Sequence, residues 1–223
     1  MPVVTGLAPD PRQPGYRLLE VDRGRFASLP AEQLAALKLE VGRVLEPATL
    51  ARLQELTDAE SAHRAALRKL ALRPHARADL RRRLLQKQHP PAAVDAALER
   101  LATRGLLDDA RFAAEYATTR ANRGRGPARL IGDLLRQGVE RRLAEAAVQQ
   151  ALDAEGIDPA RQAALVVAKR AQQLAHVPLR ARKRRLMAFL VRRGYAGASA
   201  RELVEQAVSS PPDPLSLRER GNP

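Results

Sequence analysis

The chain has no cysteine and no tryptophan, and only three phenylalanines and three tyrosines in 223 residues. Without thiols there is no disulfide framework and no thiolate-held zinc. Aromatics make up 3% of the chain against 45% hydrophobic residues in all, so its core must come from Leu, Ala and Val, which suits close-packed helices. No apolar run approaches the roughly 18 residues of a membrane-spanning helix. The N-terminal MPVVTGLAPDPRQPG has neither the basic nor the apolar region of a secretory signal. These absences predict a soluble, cytoplasmic protein that does not engage a membrane.

Catalytic signatures are missing too. The histidines at 63, 75, 89 and 176 share no metal-ligand spacing, and neither G-x-x-x-x-G-K-[ST] nor G-x-G-x-x-G occurs. Asp108-Asp109 is the one adjacent carboxylate pair. Its place directly before an apolar helical run marks an N-cap and a first-turn partner of the helix dipole rather than an acid–base couple. The expectation is a non-enzyme with no catalytic residues, no metal and no cofactor.

What the chain does have is internal repetition. LRRRLLQKQH from Leu80, LIGDLLRQGV from Leu130 and LMAFLVRRGY from Leu186 align. They place Leu80, Leu130 and Leu186 in one column, Leu84, Leu134 and Leu190 in a second, and Gln88, Gly138 and Gly194 in a third. Downstream, Val94, Ala144 and Ala200 align, then Leu98, Val148 and Val204. Spacings of this size belong to helical repeats, in which each unit buries a face that it cannot bury alone. The fold expected is mainly α: a tandem array of three three-helix, helix-turn-helix-like repeats behind a small N-terminal module containing a short β-hairpin.

Punctuation residues set the boundaries. Pro2, Pro9, Pro11 and Pro14 mark 1–15 as a flexible leader. Residues 16–56 read as a small α/β module, with YRLLEV and RFAS joined at Asp22-Arg23-Gly24 as a hairpin and helices over 29–37 and 47–56. The repeats span 57–105, 106–157 and 158–208. The first opens on a capping box, Thr57 to Glu60, and has helices near 58–72, 76–88 and 91–104. The second has helices near 108–122, 126–137 and 140–154. The third has them near 159–174, 180–193 and 199–208, the last behind another box, Ser199 to Glu202. The tail, 209–223, is too rich in Pro and Ser to pack. Gly138 and Gly194 suit left-handed positions after their helices. Gln88, in the same column, implies either roughly 1 kcal/mol of strain or a different turn. Phe112 and Tyr116, one turn apart, read as core-facing.

The net charge of +14 is unevenly divided. Residues 57–105 hold eleven basic and five acidic side chains and 158–223 hold thirteen and five, while 1–56 and 106–157 balance. Such a pattern suits a polyanionic partner, because each neutralised phosphate releases counterions. The cationic candidates are Arg81, Arg82, Arg83 and Lys87; Arg120, Arg123, Arg125 and Arg129; and Arg182, Lys183, Arg184 and Arg185 with Arg192 and Arg193. They do not occupy matching columns. The scaffold repeats; its charge does not. With few aromatics to stack on bases, contact with single- or double-stranded DNA should be to phosphates.

The stretch GLLDDARFAAEYATTRANRGRGPARLIGDLLRQGV, residues 105–139, resembles the most distinctive segment of the RecX family, bacterial modulators of the RecA recombinase. The matching positions are Leu107, Asp108, Asp109, Phe112, Ala113, Arg120, Gly126, Arg129, Leu130, Asp133, Leu134, Gly138 and Val139. Arg73, Pro74, Asp79 and Leu80 resemble the family's Arg-Pro-x-x-x-x-Glu-Leu region, and FLVRRGY, 189–195, its Leu-x-Arg-Arg-Gly-Phe. Asp replaces Glu at 79 and 133, and Gln88-His89 stands where Gly-aromatic is usual. The resemblance implies a regulator that lodges in the groove of the RecA–DNA filament and suppresses its ATPase, strand exchange and co-protease functions. On this reading Leu107, Asp108, Asp109, Phe112, Gly126, Leu134, Gly138 and Gly194 are structural, and the protein acts as a monomer. A helix-turn-helix repressor acting on duplex DNA is the competing expectation. It fits less well, since helix starts such as Pro91-Ala92-Ala93 offer little to a base edge.

Overall fold

In a computed structural model, residues 1–209 are described. The tail expected to be disordered therefore lies outside the described residues, apart from Ser209 at the end of the last helix. The chain forms two compact units, Met1–Asp108 and Asp109 onward.

The first unit opens with strands β1 (Val4–Pro9), β2 (Tyr16–Val21) and β3 (Gly24–Pro30) in an antiparallel sheet ordered β1-β2-β3. The segment read as a flexible leader is thus in large part an edge strand, and the hairpin gains a third strand. The prolines permit this because Pro2 precedes β1 and Pro9 closes it, where a missing N–H costs no central ladder bond. Val4 is fully buried with Leu19, Leu29, Leu34, Leu45 and Leu53. Asp22 and Arg23, with φ of 49° and 63°, form the two-residue turn whose doubly left-handed backbone matches strand twist. Leu29 and Pro30 still pair with β2, so helix α1 is confined to Ala31–Ala35 rather than 29–37.

A second correction concerns residue 57. Helix α2 runs unbroken over Pro47–Leu72, so no boundary separates the N-terminal module from the first repeat. LARLQEL contains neither Gly nor Pro, and nothing stops the helix before the supposed box. The Thr57 hydroxyl donates to the Leu53 carbonyl at 2.8 Å instead of capping. Glu60 is buried at 3% exposure, accepting from Tyr16 Oη (2.9 Å), Arg64 Nε (3.0 Å) and Arg100 Nη1 (2.9 Å). It thereby ties β2 to α2 and to α4 (Pro91–Thr103). The three-helix packing of the first repeat is completed by α3 (Arg77–Leu85), around Ala62, Ala66, Leu80, Leu84, Val94, Leu98 and Leu101.

The second unit holds α5 (Asp109–Ala121), α6 (Pro127–Arg136) and α7 (Arg141–Ala154), then α8 (Pro159–Gln173), α9 (Leu179–Arg193) and α10 (Ala198–Ser209). Asp158 caps α8, accepting from Ala160 N at 2.8 Å. Ser199 and Glu202 lie inside α10, which begins directly after Gly197, so the second supposed box is no cap. The repeat columns are physical. Leu80, Leu84, Leu130, Leu134, Leu186 and Leu190 are all fully buried. Gln88, Gly138 and Gly194 are all left-handed, with φ of 63°, 84° and 92°. The amide after each returns to the second-column leucine: His89 N to Leu84 O (3.4 Å), Val139 N to Leu134 O (3.1 Å) and Tyr195 N to Leu190 O (2.9 Å). One Schellman turn therefore closes the middle helix of every repeat. The first adopts it with glutamine.

Candidate functional site

The cationic residues do not stand as scattered surface charges. In the first unit Asp79, in the first turn of α3 and 2% exposed, gathers the side chains around it. Arg83 Nε donates at 2.7 Å and His75 Nδ1 at 2.9 Å to one oxygen, Arg82 pairs with the other, and Arg73 lies 3.8 Å away. Because an ionised carboxylate only accepts, the His75 bond requires the Nδ1–H tautomer. Burial pushes the Asp79 carboxyl upward. The hydrogen bonds from Arg83 and His75, with the charges of Arg83 and Arg82, outweigh it and hold the group below the usual carboxylate range. Burial dominates at His75 and lowers its pKa, against the opposing pull of Asp79. Arg73, Arg82 and Arg83 remain 50%, 52% and 40% exposed, so the acid is inside and its guanidiniums lie at the surface.

The second unit builds the same device on α6. Asp133, 6% exposed, accepts from Arg125 Nη1 (2.9 Å) and Arg129 Nε (3.2 Å) and pairs with Arg136. These arginines are 43%, 45% and 61% exposed. The two fans share a logic of placement. Each takes one arginine from the loop before the helix, one three residues after the aspartate, and one a full turn away on the same helix, where side chains four apart meet.

The loop delivering Arg125 is set by the third repeat. Gly126 N donates to Arg193 O at 2.7 Å, Arg193 Nη1 to Gly124 O at 3.1 Å, and Gln162 Nε2 to Ala121 O at 2.9 Å. Tyr195 Oη donates to Gln162 Oε1 at 2.6 Å, and burial raises that phenol's pKa to about 12. The approach leaves no room for side chains. A Cβ on Gly194 would lie 2.3 Å from Arg129 N, and one on Gly126 2.7 Å from Gly194 O.

The other candidates are held differently. Arg81 is locked to Asp95 in a two-pronged pair at 2.6 and 3.0 Å, and Lys87 is exposed. Arg123 is exposed, while the Arg120 guanidinium lies 3.8 Å from the Tyr116 ring centroid. Tyr116 is therefore half-buried, correcting the expectation that both it and Phe112 are core; Phe112 is buried, its ring centroid 6.0 Å from that of Tyr116. On α9, Arg184, Arg185 and Arg192 are exposed, Lys183 pairs with Glu205, and Arg182 has a buried Nε that makes no hydrogen bond. Arg193 and Arg170 stack on Phe189 at 4.9 and 5.9 Å. Leu107, Leu134 and Gly126 are buried, Gly138 and Gly194 end their helices, and Asp108 and Asp109 stand at the start of α5.

Sequence reasoning named Asp79, Asp133 and Arg73 only as motif positions and passed over Arg136. The signal was present in acids flanked by arginines at three and four residues. Among the described residues no group of three or more His, Asp or Glu side chains is placed to hold a metal, and no helix is long and apolar enough to cross a membrane. A cavity of about 510 Å³ in the first unit is lined by Ala59, Ala93, Ala96 and Ala97 together with His63, Glu60 and Arg100. It brings together no nucleophile and base.

Three-helix units with arginines fanned over buried carboxylates define a helical-repeat protein with a strongly cationic surface. Comparison with known proteins agrees. Residues 62–101 match the family model for the first three-helix domain of RecX, and residues 108–148 that for the second. The chain is 37% identical over 143 residues to the regulatory protein RecX of Halorhodospira halophila, covering 64% of this chain and 85% of that one. It is 34% identical to that of Thermobifida fusca over 149 residues, covering 65% and 77%. A crystal structure of a regulatory protein RecX shares the fold, with a TM-score of 0.70 at 20% identity over 92% of this chain and all of that one. The chain belongs to the RecX family.

Proposed function

We propose that this protein is a non-enzymatic regulator of homologous recombination and the SOS response. It binds RecA–DNA filaments as a monomer in the cytoplasm and lowers RecA's ATPase, strand exchange and co-protease activities. Family membership supports the regulatory role, and the relatives carry the name of regulatory proteins. The observation that carries the filament reading is cationic: Arg73, Arg82, Arg83, Arg125, Arg129 and Arg136 reach the surface around two buried acids, and Arg184, Arg185 and Arg192 are exposed on α9. These suit single- and double-stranded DNA through phosphates rather than base edges.

The test is RecA's DNA-dependent ATPase titrated with the purified protein. RecA turnover should fall at well below one-to-one stoichiometry, while the protein alone hydrolyses neither ATP nor DNA. Unchanged turnover at equimolar protein would sink the reading. A strong preference for one duplex sequence, with no effect on RecA, would transfer it to a repressor.

A further inference from the structure

Three guanidiniums carry about fifteen N–H donors, while one carboxylate offers about four acceptor positions. Asp79 and Asp133 therefore cannot satisfy the arginines they hold. Each fan, three cations on one anion, keeps an excess of two positive charges, and its arginines are 40–61% exposed. The excess donors are not free to collapse inward, because the carboxylate beneath is buried and already engaged on both oxygens. A second anion at the surface would take these donors and relieve the repulsion among the guanidiniums.

We infer that the two fans are phosphodiester-binding ports, one on α3 and one on α6, and that Asp79 and Asp133 are positioning residues that aim the arginine forks outward. The planar guanidinium matches the paired oxygens of a phosphate in two-pronged fashion, so orientation matters as much as charge. This brings Arg73 and Arg136 into the binding surface. It assigns Arg81 a lesser part, since Asp95 already occupies its fork. The inference rests on the nucleic-acid reading above and makes it specific: a buried negative charge should strengthen binding to a polyanion.

That inversion is the test. Binding of a fluorescent oligothymidylate is measured over a range of salt for the parent, Asp133→Asn, Asp79→Asn, and the control Asp95→Asn, which removes one exposed acid. If charge alone governs, all three variants bind more tightly than the parent. If the acids aim the forks, Asp95→Asn binds at least as well as the parent. Asp133→Asn and Asp79→Asn should then bind at least fivefold more weakly, with the salt slope shallower by about 0.7 for each phosphate no longer neutralised. Equal or tighter binding by both Asp133→Asn and Asp79→Asn, with the parental slope, overturns the inference. Should either variant unfold, a cycle replaces it. With Arg125, Arg129 and Arg136 all changed to Gln, Asp133→Asn should have no further effect on affinity, and a persisting effect overturns the role.

A parent that ignores the oligonucleotide removes the nucleic-acid reading but not this test. Titration with tripolyphosphate, followed by the arginine Nε–Hε resonances, should shift Arg125, Arg129 and Arg136 saturably in the parent and not in Asp133→Asn. No saturable shift in the parent overturns the ports. Weakened RecA inhibition by Asp133→Asn at unchanged oligonucleotide affinity would overturn the phosphate assignment in favour of carboxylates on a protein partner.

Discussion

α6 and α9 carry the same pair of fully buried leucines and end in the same left-handed glycine turn, yet they hold their arginines by opposite means. In the column before the second leucine, α6 has Asp133 and α9 has Phe189. The carboxylate draws in Arg125, Arg129 and Arg136 through hydrogen bonds; the ring draws Arg170 and Arg193 across its face at 5.9 and 4.9 Å. Hydrogen bonds to a charged group contribute roughly 1.5–3 kcal/mol, whereas a partly exposed cation–π contact contributes roughly 0.5–1 kcal/mol. One helix fixes the direction of its guanidiniums; the other fixes mainly their place. The repeat supplies a common frame, and between α6 and α9 one position decides how firmly cations are aimed from it; α3 reaches the same end from a different position, with Asp79 directly before its first leucine.

The largest expected effect breaks the frame itself. Gly194→Ala puts a Cβ 2.3 Å from the backbone of Arg129 at a φ of 92°. The left-handed penalty of about 1–2 kcal/mol then adds to a clash with backbone that cannot rotate away. Urea unfolding should show a loss of at least about 2 kcal/mol. It should also release the α5–α6 loop, so that Arg125 and Arg129 lose order with it. A loss under about 0.5 kcal/mol, the size of an ordinary surface substitution, would mean that the two repeats are not locked at this point.

Next come the charges on the frame. Neutralising Arg182, Lys183, Arg184 and Arg185 with Gln should weaken DNA binding alike for every sequence, and so should Gln at Arg81, Arg82, Arg83 and Lys87. Each set should flatten the salt dependence by about 0.7–0.9 log units per log of salt for each phosphate no longer neutralised. The two sets sharpen the comparison differently. The α3 set includes two members of an aimed fan, while the α9 set has none, so the α3 variant should lose more affinity per charge removed. Parental binding by both sets across salt would leave these residues merely solvated.

A third difference separates the two units. The first contains two buried histidines, His63 and His75, whereas His176 in the second is exposed. Burial lowers His63, with Arg100 acting in the same direction and Glu60 against it. Burial likewise lowers His75, with Arg73 and Arg83 acting in the same direction and Asp79 against them. A folded-state pKa below the ordinary 6.5 means that the unfolded chain binds more protons. Stability from both groups is therefore complete above pH 6.5 and declines as pH falls from there through the lowered values. The lowered Asp79 and Asp10 add losses only below 3.8. Between about pH 7 and 5, the range in which histidine titrates, amide protection relative to the intrinsic exchange rate at each pH should fall further in residues 1–108 than in 109–209. An equal fall in both would dissolve the contrast.

The sequence made the frame legible because its leucines recur in register and the turn after each middle helix is closed by one left-handed residue. Less visible was anything decided by what an element packs against. β1 is hidden because four prolines suggest a loose chain, although only Pro9 lies in the strand, at its end, and the others fall outside it. The Thr57–Glu60 pattern has the letters of a cap, yet the residues before it form good helix, and Glu60 is buried with partners on two other elements. The fans escaped notice because an aspartate among arginines looks solvated in a linear reading. Only the packed helices show that Asp79 and Asp133 are inside while their cations remain at the surface.

The smallest expected effect lies in the turn column, where the first repeat departs from the other two. Gln88 adopts the left-handed conformation of Gly138 and Gly194, with φ 63°, and keeps the same Schellman hydrogen bonds. The turn has not changed shape, so the residue bears the strain. Releasing it through Gln88→Gly recovers about 1–2 kcal/mol. The greater freedom of glycine in the unfolded chain takes back about 0.5–1 kcal/mol. A net gain of roughly 0.5–1 kcal/mol should appear as a higher urea midpoint with an unchanged slope, the signature of altered stability without altered unfolding. Because Gln88 is exposed and outside both fans, oligonucleotide affinity and RecA inhibition should stay at parental values. A loss of stability on this change would show that the glutamine side chain itself holds the turn, and the three turns would then share a geometry without sharing a cause.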